Sequence, residues 1–273
     1  MSLSATPSGG TFIGPGVSGS SFDPTVAGIG VHSIIYSYTD NNGCSNTTSQ
    51  DIEVFVLPTV SMTDPIDICE NGGIISLIGT PGGGTFSGTG VSGDIFDPAA
   101  AGAGIHSLTY EFTDSNGCTG TASQDIEVYP LPTLNFTDPT DACLDDPAFA
   151  LQATPLGGTF SGTGVIGSTF DPSIAGIGTH IITYTYTDGQ GCTNSTTQDI
   201  EVFNLPVINF FNPADVCFNG ANVILIATPN GGTFSGPGVS GNQFDPEVAG
   251  VGVHTITYTF SSSSGCTATE VHT

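Results

Sequence analysis

Cysteine is the residue in this sequence best suited to covalent chemistry, and its seven copies fall in two series of constant spacing. Cys44, Cys118, Cys192 and Cys266 each follow a glycine, while Cys69, Cys143 and Cys217 form the second series; neighbours in either series lie 74 residues apart. Regularly spaced cysteines in an acidic chain without Lys or Arg suit an oxidising compartment, where thiols become disulfides. Pairing within a repeat would join Cys69 to Cys118, Cys143 to Cys192 and Cys217 to Cys266, leaving Cys44 over. Pairing between successive repeats would join Cys69 to Cys192 and Cys143 to Cys266. Free thiols or bonds between chains are the third arrangement. No Cys-x-x-Cys or close Cys/His pair occurs, so none of these residues is assigned to a metal.

The other reactive types lead to weaker chemistry. His32, His106, His180 and His254 recur at equivalent positions, each two residues after a glycine and far in sequence from any other unusual polar group, and the sequence has no serine elbow of the Gly-x-Ser-x-Gly kind. A catalytic histidine needs a nucleophile within reach, so these are read as structural residues capping a core, and no catalytic or cofactor-binding residue is assigned. Calcium is the alternative ligand, because Asp40, Asp114 and Asp188 precede a Gly-Cys turn and Asp64, Asp67, Asp138, Asp141 and Asp215 crowd a loop. Turn chemistry accounts for the same residues, since Asp and Asn side chains accept backbone N–H bonds in tight turns. The fourth copy has Ser262 where the others have this Asp, which counts against a metal there. An isopeptide bond needs Lys; a Thr–Gln ester could use Gln50, Gln124 or Gln198, which are read instead as exposed strand residues. Trp is absent and Tyr and Phe fall mostly on inward positions, so a lectin platform is poorly supported. Sequons stand at Asn46, Asn135 and Asn194.

What must position these residues is a repeat. Thr-Pro recurs at Thr6, Thr80, Thr154 and Thr228, and Phe-Asp-Pro begins at Phe22, Phe96, Phe170 and Phe244, again every 74 residues. The boundaries are 1–56 and 205–273 for incomplete first and last copies, with 57–130 and 131–204 between them. Within the second copy, Val60 and Met62 mark a first strand, Ile75, Leu77 and Gly79 a second, Gly-Thr-Phe-Ser-Gly a third and Ile95 to Asp97 a fourth. Alternation is clearest in the fifth: His106, Leu108, Tyr110 and Phe112 share one face, and Ser107, Thr109, Glu111 and Thr113 the other. Asn116-Gly117 turns the chain into a last strand, with Ile126 and Val128 inward and Asp125 and Glu127 outward. Six or seven short strands in a repeat of this length predict an all-β chain of tandem immunoglobulin-like sandwich modules in an extended array.

That topology bears on the cysteines. The loop between the first two strands and the last hairpin turn would lie at opposite ends of a sandwich, about 30 Å apart. A disulfide needs Cα atoms within about 7 Å, which favours the pairing between repeats, whereas the pairing within repeats is the simpler arithmetic.

The run Gly-Gly-Thr-Phe-Ser-Gly-x-Gly-Val-x-Gly, then Phe-Asp-Pro, Ala-Gly-x-Gly-x-His and Thr-Asp-x-x-Gly-Cys, resembles the Ig-like or PKD-like repeats of giant Bacteroidetes cell-surface proteins, among them gliding-motility adhesins and type IX secretion substrates. The resemblance covers residues 9–54, 83–128, 157–202 and 231–267. It implies a secreted, multi-repeat spacer that holds an adhesive region away from the cell.

Composition limits the partners. With 25 acidic side chains and neither Lys nor Arg, the chain cannot pair with phosphate, so nucleic acid and anionic membrane are not expected ligands. No apolar run is long enough for a spanning helix, and the Met1 end lacks a charged segment followed by an apolar one, so the sequence reads as a fragment of a larger extracellular or cell-surface protein. The expected partners are neighbouring repeats of the same chain or fibre, with a surface polysaccharide as the alternative. Leu57-Pro58, Leu131-Pro132 and Leu205-Pro206 are the expected linkers. The expected function is that of a stalk, without catalysis; the alternative is a self-assembling fibre subunit or a polysaccharide-binding module.

Overall fold

Every repeat is built on one long β-hairpin. In the computed structural model, which describes residues 1–273, the third repeat shows it best. Gly178–Thr187 pairs antiparallel with Thr193–Phe203, in register from Gly178 opposite Val202 to Thr187 opposite Thr193. The period of two then sends Ile182, Tyr184, Ile200 and Val202 inward, all at most 2% exposed, and leaves Asp199 and Glu201 in water. Thr159–Ser161 lies against one edge of the hairpin. Ala142–Cys143 runs parallel to the other edge, with Ala142 opposite Val202 and Cys143 opposite Phe203.

Two smaller sheets complete the sandwich: Phe149–Ala150, Thr169–Phe170 and Val165–Ile166 in one, Asn135–Phe136 and Ala153–Thr154 in the other. Phe136, Leu151 and Phe170 pack on the inward face of the hairpin to make one apolar cluster. The chain is thus all-β, a tandem of immunoglobulin-like β-sandwich modules.

The chain divides into two compact units, Met1–Pro130 and Leu131–Thr273. In the first unit, the second repeat reproduces the third: Gly104–Thr113 with Thr119–Tyr129, flanked by Thr85–Ser87 and by the parallel Ile68–Cys69. Its core holds Met62, Leu77, Phe96, Leu108, Tyr110, Ile126 and Val128. The first repeat keeps the hairpin Gly30–Thr39 with Ser45–Val54 and buries Phe22, Ile34 and Tyr36. In the second unit, the fourth repeat has a shorter hairpin, Ile256–Ser261 with Thr267–His272.

Phe-Asp-Pro starts a single helical turn in every copy, Pro24–Ala27, Pro98–Ala101, Pro172–Ala175 and Pro246–Ala249. Proline suits the first helical position and the preceding Asp supplies the N-cap. Asp97 Oδ1 accepts from the Ala99 and Ala100 amides at 3.0 and 3.3 Å. The turn stops at Gly102, whose φ of 77° lies in the left-handed region that favours glycine. Where a hydroxyl follows the cap, it adds a bond: Thr25 Oγ1 donates to Asp23 at 2.7 Å and Ser173 Oγ to Asp171 at 2.6 Å. Those side-chain hydrogen bonds are the first cause holding both carboxyls below the ordinary Asp value.

Two expectations about strands are corrected. The second strand is not continuous: Ile75–Ser76 pairs with Ile95–Phe96 and Gly79–Thr80 with Ser61–Met62, so the chain changes sheets around Leu77. Asp97 does not end a strand but caps the helical turn. Val91–Ser92 and the parallel Ile68–Cys69 were not expected, because two residues are too few to show a period.

Candidate functional site: a cystine between repeats

The second unit contains a covalent link between its two repeats. Cys143 of the third repeat and Cys266 of the fourth form a disulfide with Cα atoms 5.6 Å apart across a sequence separation of 123. Backbone chemistry positions both halves. Asp141 Oδ1 accepts from the Glu201 amide at 2.9 Å, Leu144 N donates to Phe203 O at 3.0 Å, and Asp146 Oδ2 accepts from Cys143 N at 2.7 Å. These bonds hold the short parallel strand at the far end of the hairpin. On the other side, Cys266 is fully buried and closes the Ser262 to Cys266 turn, in which Ser262 N donates to Cys266 O at 2.8 Å.

The same geometry explains why no bond forms within a repeat. Cys143 lies beside Phe203, whereas Cys192 precedes Thr193 at the other end of an 11-residue strand. At about 3.3 Å per residue the two ends are roughly 30 Å apart, far beyond the reach of a disulfide. Cys44, Cys118 and Cys217 are free thiols, so Cys69 to Cys118 and Cys217 to Cys266 are not formed either. Cys69 and Cys192 carry no free thiol.

Five of the acidic residues that suggested calcium, Asp40, Asp67, Asp114, Asp141 and Asp188, accept backbone amides. Asp114 Oδ1 accepts from Asn116 N and Cys118 N, both at 2.9 Å, and Asp188 Oδ1 accepts from Gln190 N and Cys192 N at 3.0 and 2.9 Å. In the fourth repeat Ser262 Oγ accepts from Cys266 N at 3.2 Å, so the hydroxyl takes over part of the task of the missing carboxylate. Asp67 Oδ1 accepts from Glu127 N at 2.8 Å, as Asp141 does from Glu201. Tyr129 lies against Asp67; desolvation first, then that negative charge, raises its hydroxyl above the ordinary Tyr value. Gln198 Nε2 donates to Phe136 O at 3.2 Å.

The histidines are clamps. His106 Nε2 lies 2.8 Å from Gly102 O, the residue that ends the helical turn, and its ring is 6.2 Å from that of Phe96. His32, His180 and His254 make the equivalent contact with Gly28, Gly176 and Gly250 at 2.7 to 2.8 Å. Each ring ties the turn to the strand that follows it.

A second clamp escaped the sequence reading. The Tyr184 hydroxyl donates to Pro155 O and accepts from Gly158 N at 2.9 Å. Tyr36, Tyr110 and Tyr258 hold Pro7, Pro81 and Pro229 in the same way. The Thr-Pro peptide bonds at these turns are cis in all four repeats. A side chain at Gly158 would come within 2.4 Å of both Thr185 O and the Tyr184 ring, which is why glycine follows the turn. The available signal was the constant distance of Tyr from the Thr-Pro-x-Gly-Gly segment in every copy.

No protein-family model matches the chain, and no curated protein matches it. Among solved structures it overlaps a Ca2+-stabilised adhesin that helps an Antarctic bacterium reach out and bind ice, at 14% identity and TM-score 0.30, over 89% of this chain and 80% of that one. It overlaps domains EC1–4 of Drosophila N-cadherin at 10% identity and TM-score 0.24, over 99% and 93%. For immunoglobulin domains 1–5 of Sidekick-1 the values are 12% and 0.25, over 89% and 65%. No helix is long and apolar enough to cross a membrane.

Proposed function

We propose that the chain is a non-catalytic spacer, a run of stalk repeats in an extracellular adhesin or surface fibre. The observation that supports this most directly is the Cys143–Cys266 bond, which spends the most reactive side chains on joining one repeat to the next. Cys69 and Cys192 have the same spacing of 123 residues and stand at the equivalent positions of the second and third repeats. In this reading they form the same clip, and every junction of a longer array would repeat it. Clips limit the freedom of the unfolded chain and resist separation of neighbours under load. The remaining recurring polar groups fit a structural role, since His, Tyr and Asp each satisfy backbone atoms of their own repeat. A net charge of −25 keeps such arrays soluble and apart from one another. Membership of the Bacteroidetes surface-protein class, with its gliding-motility and type IX secretion members, rests on the repeat motif.

Peptide mapping without reductant tests the reading. Fragments linking Cys69 to Cys192 and Cys143 to Cys266 are expected. A fragment linking Cys69 to Cys118 would overturn the junction role.

A second reading, lateral self-assembly, draws on exposed apolar side chains at equivalent places around the helical turn: Val26, Ile29 and Val31 in the first repeat, Val248, Val251 and Val253 in the fourth. Sedimentation of the intact chain separates the two, a monodisperse monomer counting against assembly.

A further inference from the structure

Exposed apolar side chains recur where the helical turn leads into the long hairpin. They are Val26, Ile29 and Val31 in the first repeat, Ile105 in the second, and Ile174 and Ile177 in the third, all at least 57% exposed. The hairpin register places a carboxylate beside them. Val31 stands directly opposite Glu53 and Ile105 opposite Glu127. In the third repeat Glu201 keeps that position, opposite Thr179, and Asp199 stands opposite the exposed Ile181. Residues directly opposite in an antiparallel pair share one face, with Cβ atoms about 5 Å apart.

The charges around these three glutamates have one sign. Asp125 shares the outward face of its strand with Glu127, and Asp67 meets the Glu127 amide from the parallel edge. Asp199 and Asp141 stand in the same relation to Glu201, and Asp51 is on the strand of Glu53. Asp23, Asp97 and Asp171 cap the helical turns. Tyr129 adds no charge, since desolvation and then the charges of Asp67 and Glu127 raise its hydroxyl above the ordinary Tyr value. His32, His106 and His180 alternate to the inward side and hold Gly28, Gly102 and Gly176.

No Lys or Arg is present to neutralise these acids. Each apolar group is therefore bordered by negative charge that a second, equally acidic chain would have to approach closely. Carboxyl groups lose that charge between about pH 5 and pH 3. In acid the chain keeps only the charges of five histidines and the amino terminus, and no carboxylate has a Lys or Arg partner to lose.

We propose that the apolar residues at the helical turn are a docking surface for a second copy of this chain, which the neighbouring carboxylates block at neutral pH and release in acid. The occupant is a second copy because it carries the same apolar and acidic residues in the same order every 74 residues, so that several weak contacts act together. A basic partner would show the opposite dependence, binding while the acids are ionised. The proposal adds a surface and a condition to the lateral-assembly reading. The spacer reading, tested by cysteine mapping, does not depend on it.

The test is sedimentation velocity of the intact, oxidised chain from about pH 7 to about pH 3.5, across the carboxyl range, with circular dichroism following the fold. A monomer is expected at neutral pH, with reversible association in acid at least about tenfold tighter. Glu53→Gln, Glu127→Gln and Glu201→Gln together should move the onset upward by about half a pH unit or more. Asp64→Asn, Asp94→Asn and Asp138→Asn remove the same charge from exposed sites elsewhere and should move it clearly less. Val31→Ser, Ile105→Ser and Ile177→Ser together leave the charge unchanged and should weaken association in acid at least about tenfold. Equal association of this serine variant would reduce the effect to isoelectric aggregation and overturn the proposal. So would equal shifts from the two sets of acid substitutions, a folded monomer at every pH, association already at neutral pH, or loss of the fold before any association.

Discussion

The third and fourth repeats share one pattern of residues yet end in different states. In the third, the hairpin runs the full length from Gly178 to Phe203 and both of its edges are covered. In the fourth, the hairpin is shorter at its open end and Val251 and Val253 are 89% and 85% exposed. The closed core clusters Phe136, Phe170, Ile182, Tyr184, Ile200 and Val202; the open one relies on Phe210, Leu225, Ala227, Ile256 and Tyr258. The fourth repeat is compared only as far as Thr273, short of counterparts to Ile200 and Val202, and what the difference teaches is how much of the seal of the third repeat those two side chains and the Ala142–Cys143 edge supply. The two repeats are tied together by the Cys143–Cys266 bond.

Reduction of that bond should produce the largest change. A cross-link spanning 123 residues restricts the unfolded chain strongly, and its loss should cost about 3 to 5 kcal/mol on the loop-entropy account. Hydrogen exchange before and after reduction should show the fourth repeat losing more protection than the third. Equal losses would break the contrast.

Truncating matched core residues sharpens it next. Ile182→Ala should destabilise the third repeat by about 2 to 4 kcal/mol, because the sealed core leaves a cavity, and Ile256→Ala should cost the fourth about half as much. Denaturant melts of each variant, followed by repeat-resolved exchange, give the comparison. Tyr184→Phe should cost about 1 to 3 kcal/mol by leaving Pro155 O and Gly158 N without their partner. The same effect is expected for Tyr258→Phe, since this clamp lies away from the open end.

Smaller effects concern the turns. Ser262→Asp should stabilise the fourth hairpin by roughly 0.5 to 1 kcal/mol, as the carboxylate can accept two amides where the hydroxyl accepts one. Asp23 and Asp171 have depressed pKa values in the folded chain. Their contribution is therefore present above the unfolded carboxyl pKa and is lost as pH falls through the lower folded value. An acid titration of Asp171→Asn should lack that loss in the third repeat, with the change confined to the acidic limb.

Much of this was legible in the residues. The alternation of His106, Leu108, Tyr110 and Phe112 fixed the inward face of the hairpin, and Asn116-Gly117 fixed its turn. Phe-Asp-Pro contains a helix cap, yet in sequence it reads as a strand end, because a single turn is too short to show a helical period. The Tyr–Pro clamps and the parallel Ala142–Cys143 strand join segments distant in sequence, and no local pattern announces such partners. The cysteine series were visible, but two pairings satisfied the same spacing.

The sequence by itself determined the repeat, the all-β architecture and the absence of any cationic side chain, because these follow from periodicity and composition. Only the tertiary structure decided which cysteines meet. Cys143 is held by a parallel strand at one end of the hairpin and Cys192 lies at the other, so distance rules out the bond within a repeat and leaves Cys143 to Cys266 of the next.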